Sequence, residues 1–348
     1  MADTYKRAVF VAPRELRFDE LPIPEPGPHQ ALVQVKACAL CTWEQREYSG
    51  EEKFYPLAGG HEVSGVLVKL GERVYTDATI GDRVMASTLN RCGYCESCRR
   101  GLDNICDNAR KPLRAVVPDV PGPAGLGEYV LLDDYQLYKA ANDVSFEEIA
   151  LAEPLACVIR SVRKSRVQRG DNAVVVGAGI MGMLHLTLLK QLGVRVIVSE
   201  LDEKRAAFAR EHGADDIINP LEAPFGEHVK ALTNGRGADV IYCAVSVAKA
   251  VEQALDGVAK GGRVHVYAGI HPKGTKITID PAPFHNNEIT LTGTLSQDKE
   301  DVLESVRMIS NRLIDLKPFI SLVMPFEKLE EALQRAMQPD TYRVLVSM

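Results

Sequence analysis

The chain lacks the features that direct a protein to a membrane or to nucleic acid. None of its apolar stretches approaches the length that spans a bilayer. Its 348 residues contain no run rich in Lys and Arg and no alternation of basic and aromatic residues, and the formal net charge is -6. We therefore expect no membrane and no nucleic acid among its partners.

An export signal and a disulfide framework are also missing. The first residues, MADTYKRAVF, contain no apolar export segment, which predicts a cytoplasmic protein. Cytoplasmic cysteines stay reduced, so the eight cysteines of the chain are expected to be thiols or metal ligands. Cys38, Cys157 and Cys243 lie in apolar segments, and we expect them to be small buried residues.

Four further cysteines lie within fifteen residues, in a C-x2-C-x2-C-x7-C lobe at about residues 90–108. They are Cys92, Cys95, Cys98 and Cys106. Four thiolates can surround a tetrahedral Zn²⁺ and leave no open position, which indicates a structural site. An iron-sulfur cluster fits less well, because the bacterial ferredoxin spacing has three residues and not seven before the last cysteine.

The length and 46% hydrophobic content predict two domains. Residues 1–150 contain short strands separated by Pro and Gly, which predicts a barrel-like domain, with the Pro- and Gly-rich segment 111–130 as a long loop. Residues 151–290 alternate short apolar runs with helical stretches, which is typical of an α/β doubly wound parallel sheet. Residues 291–348 predict two helices and a terminal strand.

A glycine-rich turn follows the first strand of that sheet. Gly177, Gly179 and Gly182 form G-x-G-x-x-G between the run AVVV and an apolar helix, with Ile180 and Met181 between the last two glycines. This context predicts a turn that binds the pyrophosphate of a dinucleotide. Glu200 ends the next strand, where a carboxylate can accept the ribose hydroxyls of NAD and repel the 2′-phosphate of NADP.

The prediction of NAD is weakened by Lys204 and Arg205, which follow within one turn. The nicotinamide end of the cofactor is expected at three residues after the later strands, which are Ala268, Gly269 and Thr294.

Four scattered residues are candidates for a second, catalytic metal site. They are Cys41, His61, Glu62 and Glu153. Each has a simpler interpretation alone: a single Cys is usually core, a single His usually a hydrogen-bonding residue, and Glu153-Pro154 can begin a helix.

Together these motifs resemble the zinc-dependent medium-chain dehydrogenase/reductase family, in an order that covers essentially the whole chain. The residues that carry the resemblance are Cys41, Gly60-His61-Glu62 with Gly65 and Gly71, Gly81-Asp82-Arg83-Val84, the cysteine lobe, Glu153-Pro154, and the glycine turn with Glu200. The resemblance implies a GroES-like β-barrel catalytic domain, built from both chain ends around a central Rossmann domain, with the active site in the cleft between them.

The resemblance also implies two zinc ions per subunit. Cys41 and His61 match direct ligands of the catalytic zinc, and Glu62 and Glu153 match carboxylates that serve either as ligands or as partners of ligands. Exchange between these two carboxylates is a hypothesis for tuning the acidity of the metal. The E-P-L form at Glu153 resembles the polyol, sorbitol-type branch.

The segment Cys41-Thr42-Trp43-Glu44 departs from the Cys-Gly-Ser/Thr-Asp that is common in the family. Trp43 cannot relay a proton, so Thr42, Glu44 or a water beside Glu153 are the candidates for that role. Trp43 either packs under the site or provides an apolar wall that stacks on a sugar or cyclitol ring.

The residues that follow this segment also bear on the pocket. Arg46 stands where many relatives have a relay histidine, and Tyr48, Phe54 and Tyr55 are candidates for the pocket wall.

We therefore expect an NAD-linked oxidoreductase, NADP being the less favoured cofactor, that interconverts a secondary alcohol of a polyol, sugar alcohol or cyclitol and its ketone. One alternative is a threonine-type 3-hydroxy amino acid or amino-alcohol dehydrogenase, with Arg46 and Glu44 as substrate ligands. Another is a catalytically inactive nicotinamide-binding sensor or structural protein. The resemblance implies a homodimer or homotetramer that pairs through the strand near ITLTG.

Overall fold

The computed structural model describes residues 4–109 and 120–348. Part of the predicted loop 111–130 therefore lies outside the described residues. The strands are β1 Thr4–Ala12, β2 Glu15–Pro22, β3 Gln30–Ala39, β4 Glu62–Leu70, β5 Arg83–Ser87, β6 Tyr129–Asp133, β7 Leu137–Lys139, β8 Asn172–Val176, β9 Arg195–Ser199, β10 Asp216–Ile218, β11 Ala238–Cys243, β12 Val258–Val266, β13 Thr290–Gly293, β14 Ile320–Pro325 and β15 Arg343–Ser347.

The helices alternate with these strands mainly in the central part of the chain. They are α1 Thr42–Ser49, α2 Glu96–Arg99, α3 Phe146–Ala150, α4 Ala152–Ser165, α5 Ile180–Gln191, α6 Glu203–Glu211, α7 Phe225–Leu232, α8 Ala248–Gly257, α9 Ala282–Asn286, α10 Lys299–Ser310 and α11 Leu329–Ala336. Among the described residues, no helix combines the length and the apolar character needed to cross a bilayer.

The chain divides into two compact units. The first comprises Met1–Ala156 and Gln297–Met348, and the second comprises Cys157–Ser296. Strand β13 belongs to the second unit, so the chain re-enters the first unit only at Gln297, later than residue 291, where the return was expected.

The first unit is built on a seven-stranded sheet. Six strands follow the order β14-β15-β3-β4-β5-β7, and β6 pairs with the other end of β3. All pairs are antiparallel except β14 with β15. The apolar face of this sheet closes on a core that includes Leu40, Val63, Leu67 and Val346. The residues of strands β2 and β14 are mostly half-exposed or exposed, and the sequence patterns did not reveal these strands.

The second unit is a six-stranded parallel sheet in the order β10-β9-β8-β11-β12-β13. Numbered from the first strand of this unit, the order is 3-2-1-4-5-6, the doubly wound arrangement of dinucleotide-binding folds. Strands β8 and β11 are its central pair, and their carboxyl ends form the switch point where such sheets bind ligands. The predicted parallel α/β sheet is therefore confirmed.

Candidate metal centres and dinucleotide turn

Cys41, His61 and Glu62 are brought together by the pairing of two adjacent strands. Cys41 lies two residues beyond the end of β3 and is the N-cap of α1, and His61 immediately precedes β4. Ala39 of β3 pairs with Glu62, the first residue of β4. The potential ligand atoms of all three side chains lie within 4.8 Å of one another. A thiolate, an imidazole and a carboxylate are the donor types that zinc prefers, so the residues fit such an ion.

The orientation of His61 is fixed by Glu44. Oε1 of this buried carboxylate lies 2.8 Å from His61 Nδ1, and it also accepts a hydrogen bond of 2.9 Å from the Gly60 backbone N–H. With Nδ1 held in this way, Nε2 is the ring nitrogen left for a metal. Burial lowers the pKa of His61, but the charges of Glu44 and Cys41 outweigh burial and raise it well above its usual value.

Glu62 is a buried carboxyl group with a buried cation beside it. The side chain is fully buried, and its Oε1 lies 2.9 Å from Nη2 of Arg343. Burial raises the pKa of Glu62 to about 7, the Arg343 guanidinium opposes that rise, and the neighbouring Glu153 carboxylate adds to it. Arg343 did not emerge from the sequence, because it lies 281 positions after Glu62 and belongs to no recognisable motif.

Glu153 lies near this cluster without joining it. Its side chain is buried at the start of α4, and its charge acts on both Glu62 and Arg343. It is not among the residues whose ligand atoms lie within 4.8 Å of one another. The structure thus brings three of the four predicted ligands together and leaves Glu153 as a nearby charge.

Trp43 both packs and borders the site. Its ring meets that of His61 edge-on at 5.6 Å between centroids, and the side chain is half-buried against the core. The preceding residue, Thr42, is exposed. Because part of the indole is accessible beside a candidate ligand, the two interpretations of Trp43 are compatible.

The remaining candidates for the pocket wall differ in their environment. Tyr48 is buried, and its hydroxyl donates a 3.0 Å hydrogen bond to Glu330 of α11, so it supports α1 from behind and does not line a pocket. Phe54 is half-exposed, and the Tyr55 hydroxyl donates to the backbone carbonyl of Glu47. Tyr55 therefore anchors this segment to α1.

The cysteine lobe is a second cluster. The four sulfurs of Cys92, Cys95, Cys98 and Cys106 lie within 4.8 Å of one another, and all four residues are free of disulfides. The Cys95 and Cys106 sulfurs are 3.9 Å apart, close to the separation of about 3.8 Å that tetrahedral Zn–S bonds of about 2.3 Å produce. Backbone N–H groups and the Asn108 amide point at these sulfurs.

Partial burial opposes thiolate formation at Cys92, but these hydrogen bonds, led by that from Asn108, lower its pKa to about 6. Burial, together with the neighbouring Cys95 and Cys106 thiols, instead raises the pKa of Cys98 to about 12, so thiolate formation is favoured at Cys92 and opposed at Cys98. Of the three cysteines that belong to neither cluster, Cys38 and Cys243 are buried as expected, and Cys157 is half-buried.

The glycine turn of the second unit has three distinct local requirements. Gly177 has φ +97°, and a Cβ there would lie 2.5 Å from Val245. A Cβ on Gly182 would lie 1.8 Å from the Gly177 carbonyl oxygen, so this glycine lets α5 pack against the turn. At Gly179, the N-cap of α5, the Arg205 guanidinium at 3.8 Å is the only group of the described residues within 4 Å of such a Cβ, its chain neighbours aside. The space over Gly179 is the cradle that a pyrophosphate needs.

Glu200 is anchored beside this turn. Its carboxylate accepts hydrogen bonds of 2.7 Å from the backbone N–H groups of Ala178 and Leu201, and one of 2.9 Å from Asp202. A carboxylate has about four acceptor sites, so Glu200 retains capacity for a ribose hydroxyl. Leu201 beside it is 58% exposed, an apolar surface suited to a base that the sequence patterns did not single out.

The residues expected at the nicotinamide end follow β12 and β13. The Ala268 N–H donates to the Cys243 carbonyl, and Gly269 follows it. The Thr294 hydroxyl is buried and has no hydrogen-bond partner among the described residues. An orphaned buried donor of this kind fits a ligand that supplies the missing acceptor.

Comparisons with known proteins agree with this geometry. The family described as alcohol dehydrogenase GroES-like domain matches residues 27–142, and the family described as zinc-binding dehydrogenase matches residues 181–311. The chain belongs to the zinc-dependent medium-chain dehydrogenase/reductase family. It is therefore a zinc- and nicotinamide-dependent dehydrogenase with a GroES-like domain and a Rossmann domain, and the expected resemblance to the sorbitol-type branch is confirmed.

Individual relatives are similar over most of their length. The chain is 30% identical to a sorbitol dehydrogenase of Halalkalibacterium halodurans over 94% of each chain. It is 31% identical to an L-threonine 3-dehydrogenase of Pyrococcus horikoshii over 90% of each chain. A candidate zinc-binding dehydrogenase from Sinorhizobium meliloti 1021, solved bound to NADP, superimposes with a TM-score of 0.88 at 26% identity over 100% of both chains. The similarity to named dehydrogenases over most of the chain supports an enzyme and disfavours the alternative of an inactive sensor or structural protein.

Proposed function

We propose that this dehydrogenase oxidises a secondary alcohol of a polyol, sugar alcohol or cyclitol to the ketone, with Cys41 and His61 binding a catalytic zinc. The observation that carries the proposal is the cluster of Cys41, His61 and Glu62, in which Glu44 fixes the imidazole. The sorbitol dehydrogenase relative and the E-P-L form at Glu153 support the polyol class.

Zinc, when bound, supplies a Lewis acid that eases loss of the hydroxyl proton from the carbinol and so makes hydride transfer to nicotinamide feasible. The residues of the chain do the rest. Cys41 and His61 hold the ion, and the exposed part of Trp43 offers a shelf for the apolar face of a ring. Because Glu44 is engaged by His61 and Gly60, it is not an outward proton path, and the exposed Thr42 is the better relay.

A threonine-type activity is the second candidate, because an L-threonine 3-dehydrogenase is equally similar. It would need groups for an ammonium and a carboxylate. Glu44 is buried against His61, and Arg46 Nε lies 3.4 Å from Glu51 Oε1, so the two residues suggested for those roles are engaged in contacts with the protein. The polyol class is therefore preferred.

For the cofactor we propose NAD rather than NADP, since the anchored carboxylate of Glu200 would repel a 2′-phosphate. Four cysteine ligands in the lobe would hold the second, structural zinc. A homodimer or homotetramer and a cytoplasmic location complete the proposal. The exposed or half-exposed residues of β13, at one edge of the parallel sheet, offer a surface for pairing between subunits.

The test is an activity screen of the zinc-loaded protein. NAD- and NADP-linked reduction would be followed with sugar alcohols, cyclitols, simple secondary alcohols and threonine. Turnover of polyols with NAD, lost in Cys41→Ser and kept in Cys157→Ser, is expected. Turnover of threonine alone would show that the substrate is a 3-hydroxy amino acid and not a polyol. Activity retained by Cys41→Ser would refute the role of Cys41 as a metal ligand.

A further inference from the structure

A buried histidine of the second unit lies between the dinucleotide turn and the segment expected at the nicotinamide. His185 belongs to α5, four residues after Met181 of the glycine turn, and it is fully buried. Its Nδ1 lies 2.8 Å from the Met181 carbonyl oxygen, and its Nε2 lies 2.9 Å from the hydroxyl of Ser161 on α4. Both ring nitrogens of this side chain therefore have partners.

These two contacts fix the tautomer and the orientation of the imidazole. Burial lowers the pKa of His185 to about 4, so the ring is uncharged at neutral pH and carries a single N–H group. Because a carbonyl oxygen can only accept a hydrogen bond, Nδ1 carries the hydrogen, and Nε2 accepts from the Ser161 hydroxyl. The ring is thus held in one orientation between α4 and α5.

The ring of Tyr267 packs edge-on against this imidazole. The two centroids are 4.6 Å apart and the ring planes meet at 85°, a geometry that aromatic pairs prefer. Tyr267 is the first residue after β12, and Ala268 and Gly269 follow it directly. The backbone N–H groups of Tyr267 and Ala268 both donate to a single carbonyl, that of Cys243, at 3.2 and 3.0 Å. The ring contact with the histidine is therefore a further support for this segment where it leaves the sheet.

Packing alone does not account for a histidine at this position. A leucine at residue 185 would fill most of the same space between the sheet and the helices. It would present no flat ring to Tyr267 and would accept no hydrogen bond from Ser161. What the imidazole adds is a fixed orientation of the surface on which the tyrosine ring lies.

We propose that His185 is a positioning residue for the cofactor, which supports the Tyr267 ring and so holds Ala268 and Gly269 in place for the nicotinamide. The imidazole lies on the helix that begins at the glycine turn, so the same helix supports the pyrophosphate end and the nicotinamide end. Without the imidazole, the segment after β12 has to be ordered when the cofactor binds, and such ordering lowers affinity. This inference rests on the proposed position of the nicotinamide end and concerns how that end is held.

The experiment compares NAD with ADP-ribose, which contains the adenosine, the pyrophosphate and the second ribose but no nicotinamide. Binding of each compound to the full-length, zinc-loaded protein is measured by isothermal titration calorimetry. In His185→Leu the Kd for NAD is expected to rise by about 5- to 10-fold, because a ring contact and a buried hydrogen bond are lost together. The Kd for ADP-ribose should stay at the wild-type value.

Two further variants test the same contact without replacing the histidine. Ser161→Ala removes only the hydroxyl that orients the ring, and it should raise the Kd for NAD by a smaller factor. Tyr267→Leu should match His185→Leu, and the double variant should bind NAD no more weakly than either single variant, because both changes remove the same contact. These variants provide an answer even if His185→Leu does not fold.

His212→Leu is the matched control for general destabilisation. The Nδ1 of His212 also lies 2.8 Å from the carbonyl oxygen four residues earlier, that of Phe208, and its ring also packs against an aromatic ring. This histidine lies at the end of α6 and not on α5. His212→Leu should therefore bind NAD as the wild type does.

Gly269→Val tests the position of the nicotinamide end itself. Among the described residues, and its chain neighbours aside, only the His271 imidazole would lie within 4 Å of a Cβ on Gly269, at 3.7 Å. The fold therefore admits the valine, and its bulk should weaken the binding of NAD. An unchanged Kd for NAD in Gly269→Val would refute the position of the nicotinamide end.

If Gly269→Val does weaken NAD binding, three results would overturn the role of His185. They are an unchanged Kd for NAD in folded His185→Leu, an equal loss of affinity for ADP-ribose, and additive effects in the double variant with Tyr267→Leu. Failure of the positioning role and failure of the cofactor placement are therefore distinguishable.

Discussion

Replacing Glu44 by glutamine tests how much the negative charge beside His61 contributes to metal binding. Oε1 of Glu44 takes both hydrogen bonds, from Gly60 and from His61 Nδ1, while Oε2 is buried without a hydrogen-bond partner among the described residues. A glutamine amide can keep its oxygen in the first position and its NH₂ group in the second. Both hydrogen bonds are then retained and the negative charge is lost, while the NH₂ group takes the place of an oxygen that already has no hydrogen-bond partner among the described residues.

The magnitude follows from the role of such carboxylates. Partners of metal-binding histidines typically account for about 10- to 100-fold in metal affinity or activity. That range corresponds to about 1.4 to 2.8 kcal/mol. Since Glu44 is buried and lies 2.8 Å from the ring, we expect Glu44→Gln to be near the upper end of the range.

The assay is a competition titration for zinc against a chromophoric chelator, which resolves the two sites by affinity. In Glu44→Gln the site of lower zinc affinity should bind zinc still more weakly, and the zinc affinity of the cysteine lobe should not change. Glu330→Gln is the matched control, because Glu330 accepts a hydrogen bond from Tyr48 of the same helix but does not touch His61. Equal zinc affinities in wild type and Glu44→Gln would refute the reasoning.

Three other predictions concern the cofactor turn, the lobe and the pH dependence of stability. Glu200→Gln should raise the KM for NAD by about 10-fold or more and reduce the preference for NAD over NADP, since hydrogen bonds to a charged group contribute about 1.5–3 kcal/mol. Steady-state kinetics with both cofactors measure this effect. An unchanged ratio of the KM values for NAD and NADP would contradict it. Cys98→Ser should reduce tightly bound zinc from two ions per subunit to one and lower thermal stability, as elemental analysis and calorimetry would show; two retained ions would exclude the lobe as a site. Burial lowers the pKa of His185 to about 4, below the value of about 6.5 in the unfolded chain. As the pH falls, the unfolded chain therefore takes up the proton first. The free energy of unfolding should decrease between about pH 6.5 and pH 4, by about 3 kcal/mol for this group. His185→Gln should have a shallower dependence in urea unfolding between pH 7 and 4.5, and identical slopes would contradict the assignment.

The elements that the sequence predicted well are those whose pattern is local. The parallel sheet from β8 to β13 follows from short apolar runs between helices, and the glycine turn is confined to Gly177–Gly182. Strands β2 and β14 did not emerge, because they are only partly buried and lack a clear alternation of apolar residues. The pocket role suggested for Tyr48 was wrong, since a periodic pattern does not reveal that its hydroxyl is bound by Glu330.

The sequence by itself determined the chemistry that is available: four thiols within fifteen residues, a dinucleotide turn, and a thiol, an imidazole and carboxylates of the right kinds. Only the tertiary structure decided how these groups are partnered. Glu44 holds His61 across 17 positions, and Arg343 holds Glu62 across 281, because strand register brings residues together whatever their separation along the chain. A sequence motif indicates which atoms can bind a metal. Which of them do so depends on the surrounding charges, and the fold determines where those charges lie.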